Sequence, residues 1–111
     1  MDGQEGDRNK RIIVRVDRDL EEITPAYLRT LREDVERIRG SLEKDDWETI
    51  HVIGHNMKGS GSGYGFDEVS RLGRVMEQSA KEKRGEPIRR AVEDLSRYLD
   101  SVEVVYSDPA E

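Results

Sequence analysis

Four apolar stripes at alternating three- and four-residue spacing run through this chain, and only short polar or glycine-bearing breaks separate them. The first joins Leu28, Leu31, Val35, Ile38 and Leu42, and the second Trp47, Ile50, Ile53 and Met57. The third joins Val69, Leu72, Met76 and Ala80, and the fourth Ile88, Val92, Leu95, Leu99, Val102 and Tyr106. Such spacing places apolar side chains on one face of an α-helix. A single amphipathic helix cannot hide its stripe, whereas four joined by short turns bury theirs against antiparallel neighbours. The expected fold class is therefore all-α, an antiparallel up-down four-helix bundle. With 40% charged and 33% hydrophobic residues among 111, the chain is polar, but outer helix faces absorb that much charge and one core remains feasible.

Local signals set the expected boundaries. Thr24-Pro25 reads as a helix start, with Thr24 as N-cap and Pro25 at the first position. Glu43-Lys44-Asp45 breaks the first run, and Asp45 or Asp46 caps the second. Asp67 opens the third, which closes at Gly85; Pro87 starts the fourth, which continues until Pro109. Ahead of the helices, Ile12-Ile13-Val14-Arg15-Val16 is β-branched enough for a strand. One strand without a partner is marginal, so a short extended and helical lead-in lying across the helices is expected, its turn through Leu20 and Ile23 capped by Asp17 or Asp19. Residues 11–106 form the expected domain. Residues 1–10 carry no apolar anchor and are expected to be a disordered tail, and 107–111 a C-terminal tail.

The same composition excludes several classes of function. A net charge of −6 argues against a general nucleic-acid binder. Without cysteine there is no disulfide framework and no thiolate metal site. The polar start shows no apolar leader core, and no apolar run approaches membrane-spanning length. A monomeric cytoplasmic domain without membrane contact is expected.

Chemistry concentrates in Gly54-His55-Asn56-Met57-Lys58-Gly59-Ser60-Gly61-Ser62-Gly63-Tyr64-Gly65-Phe66, which holds five of the ten glycines. On a helical wheel centred on Ile50 and Met57, Gly61 and Gly54 fall about 20° and 40° from the buried direction. His55 falls about 140° away, Gly59 about 180° and Lys58 about 80°. An exposed imidazole then has bare backbone beside it and an ammonium at its shoulder. Two readings of the glycines stand. The run is a flexible linker after Gly59, or the helix continues, since the apolar phase persists to Tyr64. In the second reading each glycine costs about 0.8–1 kcal/mol relative to alanine, so close approach is needed inside at Gly54 and Gly61 and outside at Gly59. A phosphate-binding loop is ruled out by residue order, because Lys58 precedes Gly59 and no strand leads in. His51 and His55 are one turn apart, but Val52 stands where a zinc-protease helix has glutamate and a third ligand is missing, so no metal is expected.

The order His55-Asn56-Met57-Lys58-Gly59-Ser60 resembles the signature of histidine-containing phosphotransfer (Hpt) domains of bacterial phosphorelays. Tyr64-Gly65-Phe66 followed by Leu72 and Met76-Glu77 is similar to the stretch that follows the histidine helix in that family, and Val16-Asp17 and Pro25-Ala26-Tyr27-Leu28 to its lead-in. The similarity spans about residues 12–105; Gly54 and Met57 depart from the family's usual alanine and leucine. The resemblance implies a phosphoryl carrier. His55 would accept the group from a receiver-domain aspartate or a kinase, Lys58 would stabilise it, and Gly59, Val52 and Ser62 would form the receiver docking face. It further implies no cofactor in this chain, with the divalent metal in the partner's acidic pocket. Response-regulator receiver domains and a sensor or hybrid histidine kinase would be its partners, and no ATP site of its own is expected. The alternative is a helical adaptor that binds a signalling partner through the same face and is never phosphorylated.

Overall fold

A computed structural model describes residues 11–108. The expected tail at 1–10 and the last residues of the tail at 107–111 lie outside the described residues. Along the chain stand strand β1 (Ile12–Asp17), a 3₁₀ turn (Arg18–Leu20) and helices α1 (Thr24–Glu43) and α2 (Trp47–Ser60). A second 3₁₀ turn (Ser62–Tyr64), helices α3 (Asp67–Lys81) and α4 (Gly85–Ser101) and strand β2 (Val102–Ser107) follow. The helices close a ring in which α1 packs on α2 and α4, and α3 packs on α2 and α4.

The core is the one the stripes foretold. Leu31, Val35 and Ile38 meet Ile50, Ile53 and Met57, together with Val69, Leu72 and Met76 and with Ile88, Val92, Leu95 and Leu99, all buried. Full burial of each large apolar side chain contributes about 1.5–3 kcal/mol. Phe66, between α2 and α3, is fully buried, and Tyr27 stacks on Tyr64 with ring centroids 3.9 Å apart. That stack fixes the segment after α2 against α1.

Two capping expectations hold and one does not. Asp17 accepts from the amide of Asp19, and Asp46 accepts from the amide and hydroxyl of Thr49. Thr24, however, is no N-cap. It is the first helical residue, fully buried, and its hydroxyl donates back to the Leu20 carbonyl at 2.7 Å. The preceding turn already supplies helical hydrogen bonds, Ile23 to Leu20 and Tyr27 to Ile23, so the helix needs no side-chain cap there.

The chain is mostly helical, as expected, but it carries a two-stranded parallel sheet as well. β1 does have a partner, in register from Ile12 opposite Val102 to Asp17 opposite Ser107. Its partner is the segment expected to prolong the fourth helix to Pro109. α4 instead stops at Ser101, because Val102-Glu103-Val104-Val105-Tyr106 is mostly β-branched and aromatic. The four-residue step from Val102 to Tyr106 satisfies a period of two as well as 3.6, so the stripe alone could not separate the two outcomes. Val14, Val16, Val102, Val104 and Tyr106 turn toward the bundle, and Val16 is buried in its core. The third helix also ends early. α3 stops at Lys81, Lys83 takes the left-handed conformation, and the amide of Arg84 returns to the Ser79 carbonyl, a closure that leaves Gly85 free to begin α4.

Candidate functional site

The linker reading of the glycines fails. α2 stays helical through Gly59 and Ser60, and Gly61 keeps helical dihedrals. Why glycine is needed differs from one position to the next. A Cβ on Gly54 would sit 2.7 Å from the Glu77 amide nitrogen and 2.9 Å from the Gly73 carbonyl oxygen. One on Gly73 would sit 2.6 Å from the Lys58 amide nitrogen, and one on Gly61 2.6 Å from that of Ser70. The backbones of α2 and α3 therefore lie in direct contact along this seam. Ser70 fastens its far end, donating its hydroxyl to the Lys58 carbonyl and accepting from the Ser62 amide. Gly59 is different: nothing lies within 4 Å of where its Cβ would be.

The close seam brings Glu77 of α3 up to the exposed side of α2. Its Oε2 lies 2.9 Å from His55 Nδ1, its Oε1 2.8 Å from Lys58 Nζ, and His51 Nε2 is 3.7 Å from Oε2. The Glu77 side chain is only 15% exposed, whereas that of His55 is 62% exposed. The Lys58 ammonium first, and the His55 ring second, hold the Glu77 carboxyl down at about 2. Glu77 is thus ionised at any pH where imidazole titrates, and an ionised carboxylate only accepts hydrogen bonds. Nδ1 of His55 must be the donor. On a neutral ring that leaves the lone pair on Nε2, which has no hydrogen-bond partner among the described residues.

The remaining residues of the expected face fall around this centre. Val52, 47% exposed, stands at the rim of a groove of 240 Å³ between α1 and α2, lined among others by Tyr27, Leu31, Asp34, Ile53 and Met57. Ser62 is exposed beyond the end of α2, with its hydroxyl engaged by Ser70. His55, Lys58 and Gly59 lie together; Val52 opens toward α1 and Ser62 lies past the helix end. Glu77 had no assigned role in the sequence reading. Its signals were its place one residue after the core residue Met76 and the part of Met76-Glu77 in the family resemblance, but no local pattern states which α3 residue meets His55. Among the described residues, no group of three or more histidine, aspartate or glutamate side chains could hold a metal ion.

The arrangement can do one thing well. It presents an oriented, solvent-facing imidazole nitrogen, backed by a carboxylate and flanked by an ammonium. No helix among the described residues is long and apolar enough to cross a membrane. Compared with known proteins, residues 22–104 match the family model of the Hpt domain. No curated protein and no solved structure matches the chain.

Proposed function

The chain belongs to the Hpt domain family, whose role is histidine phosphotransfer in two-component phosphorelays, and from that premise we propose that it carries the phosphoryl group on Nε2 of His55. The observation that carries this reading is the Glu77 contact to Nδ1. When Nε2 attacks the phosphorus of an aspartyl phosphate, an N–P bond forms and the P–O bond to the donor carboxylate breaks. The ring keeps its Nδ1 proton and gains positive charge, which the Glu77 carboxylate meets at 2.9 Å. Glu77 is therefore a positioning and charge-balancing group, the part a buried carboxylate plays behind a catalytic imidazole. Return transfer reverses each step, so the same geometry serves both directions.

Lys58 is the group able to follow the phosphoryl oxygens, exchanging its bond to Glu77 Oε1 for one to the incoming anion. Gly59 leaves the backbone bare for the partner's loops, and Val52 with the groove behind it offers an apolar foothold. Ser62 extends the docking face past the helix end. The short connections Lys44–Asp46 and Glu82–Arg84 support an antiparallel up-down order for the bundle that holds this face. Partners are receiver domains of response regulators and a sensor or hybrid histidine kinase. A divalent metal belongs to the receiver's acidic pocket, and this chain acts as a carrier without an ATP site. The adaptor alternative uses the same surface without phosphorylation, but it gives the Glu77–His55 bond no work.

The test is labelling from a phosphorylated receiver domain. Wild type is expected to take up acid-labile, alkali-stable label, His55→Ala none, and His51→Ala most of the wild-type amount at neutral pH. Label retained in the His55 variant would refute the assignment.

A further inference from the structure

His55 does not have Glu77 to itself. His51, one helical turn earlier, directs Nε2 at the same oxygen, 3.7 Å from Oε2 against 2.9 Å for His55 Nδ1. Among the described residues no other acid lies within 4 Å of a ring nitrogen of His51. We propose that His51 is a positioning residue for phosphoryl acceptance, one that shares Oε2 of Glu77 with His55 and withdraws it upon protonation; this deepens, and rests on, the assignment of His55 as acceptor.

The physical basis is competition for one oxygen. At 3.7 Å a neutral His51 makes no hydrogen bond, so Oε2 serves His55 and holds its Nδ1 proton inward. Protonated, His51 becomes a cation beside a carboxylate that is only 15% exposed. Charge-assisted N–H···O bonds close to about 2.7–2.9 Å, a movement of roughly 1 Å that draws Oε2 toward His51 and away from His55. Lys58 holds the other oxygen, Oε1, so the movement available to Oε2 is a turn of the carboxylate about that contact. Beyond Lys58 and Glu77, the charged residues of α2 and α3 are Glu48, Asp67, Glu68, Arg71, Arg74 and Lys81, of which Glu68 and Arg71 pair with each other. The other four form no ion pair among the described residues, and no acid among the six comes within 4 Å of a His51 ring nitrogen, so Glu77 is the acid His51 answers to. Acid would then reduce acceptance twice, by protonating the nucleophile and by removing its anchor.

The experiment compares acceptance of phosphate from phosphoramidate, a donor that needs no docking, by wild type and His51→Gln between pH 5 and 8. The ratio of the two rates cancels the donor's own pH dependence. It is expected to be near one at pH 8 and to rise in favour of the Gln variant, up to about tenfold, as pH falls through the range in which imidazoles gain charge. His51→Lys, a fixed cation, should be slow already at pH 8. In a Glu77→Gln background the His51→Gln change should have no effect, since the shared oxygen no longer carries charge. A ratio that stays flat across the range, with label still on His55, overturns the role of His51 and leaves the carrier assignment standing. Label that survives His55→Ala overturns both.

Discussion

Gly54 and Gly59 lie five residues apart on one helix, both with helical backbone, and they answer to opposite surroundings. Gly54 faces α3, where the backbone of Glu77 and Gly73 leaves no room for a methyl group. Gly59 faces open space. Either position costs the isolated helix about 1 kcal/mol against alanine. At Gly54 the interhelical contact explains that cost, and the same contact carries Glu77 to His55. At Gly59 nothing inside the molecule explains it, whereas the proposed approach of a receiver domain would. Two glycines that look alike in the sequence thus separate the part of α2 packed against α3 from the part left open, where docking is proposed.

That contrast breaks most severely at the seam. Gly54→Ala places a methyl group against backbone atoms that cannot rotate aside, so α2 and α3 must separate. Overpacking of this kind costs about 1–3 kcal/mol, only partly offset by the better helix propensity of alanine. A lower melting temperature together with slower phosphoryl acceptance is expected, because Glu77 retreats with α3. A variant as stable and as active as wild type would show the seam to be looser than drawn.

On the open side the effects should separate. Gly59→Gln is expected to leave the fold intact and to slow transfer from a receiver about tenfold or more, since small displacements from in-line geometry are costly. Gly59→Ala should raise stability by up to about 1 kcal/mol, there being no neighbour to strain. Melting curves and transfer rates on both variants read the two effects independently, and a destabilised Ala variant would overturn the open-side picture.

Lys58→Ala should leave the fold nearly unchanged, its side chain being off the core, while shortening the phosphohistidine lifetime or slowing transfer. A lost charge-assisted contact of about 1.5–3 kcal/mol corresponds to a roughly tenfold to hundredfold effect as an upper range. Unchanged rates and lifetime would remove Lys58 from the mechanism.

The smallest effect concerns acid stability. The Glu77 carboxyl is held at about 2 in the folded chain against an ordinary 4.5, so the folded state binds its proton less readily than the unfolded one. Its contribution is fully present above pH 4.5 and is lost as pH falls toward about 2. Glu77→Gln should flatten the melting temperature between those limits relative to wild type, and parallel curves would show that the carboxylate contributes nothing there.

Much of this was legible in the sequence because it is local. Apolar spacing located four helices, aspartate pairs announced two turns of which Asp17 and Asp46 proved the caps, and His55, Lys58 and Gly59 declared their shared side of the helix by position on the wheel alone. What escaped was decided between segments far apart in the chain. β1 is stabilised by hydrogen bonds to a strand ninety residues later, one that shares a spacing with the helix before it, and no local propensity encodes such pairing. Gly73 and Glu77 matter only because Gly54 and Gly61 allow α3 to approach in one register, which depends on how two helix surfaces fit. Helical periodicity states which side of a helix is polar; which polar residue of a neighbour reaches it is set by interhelical contact, and that contact exists only once the core has closed.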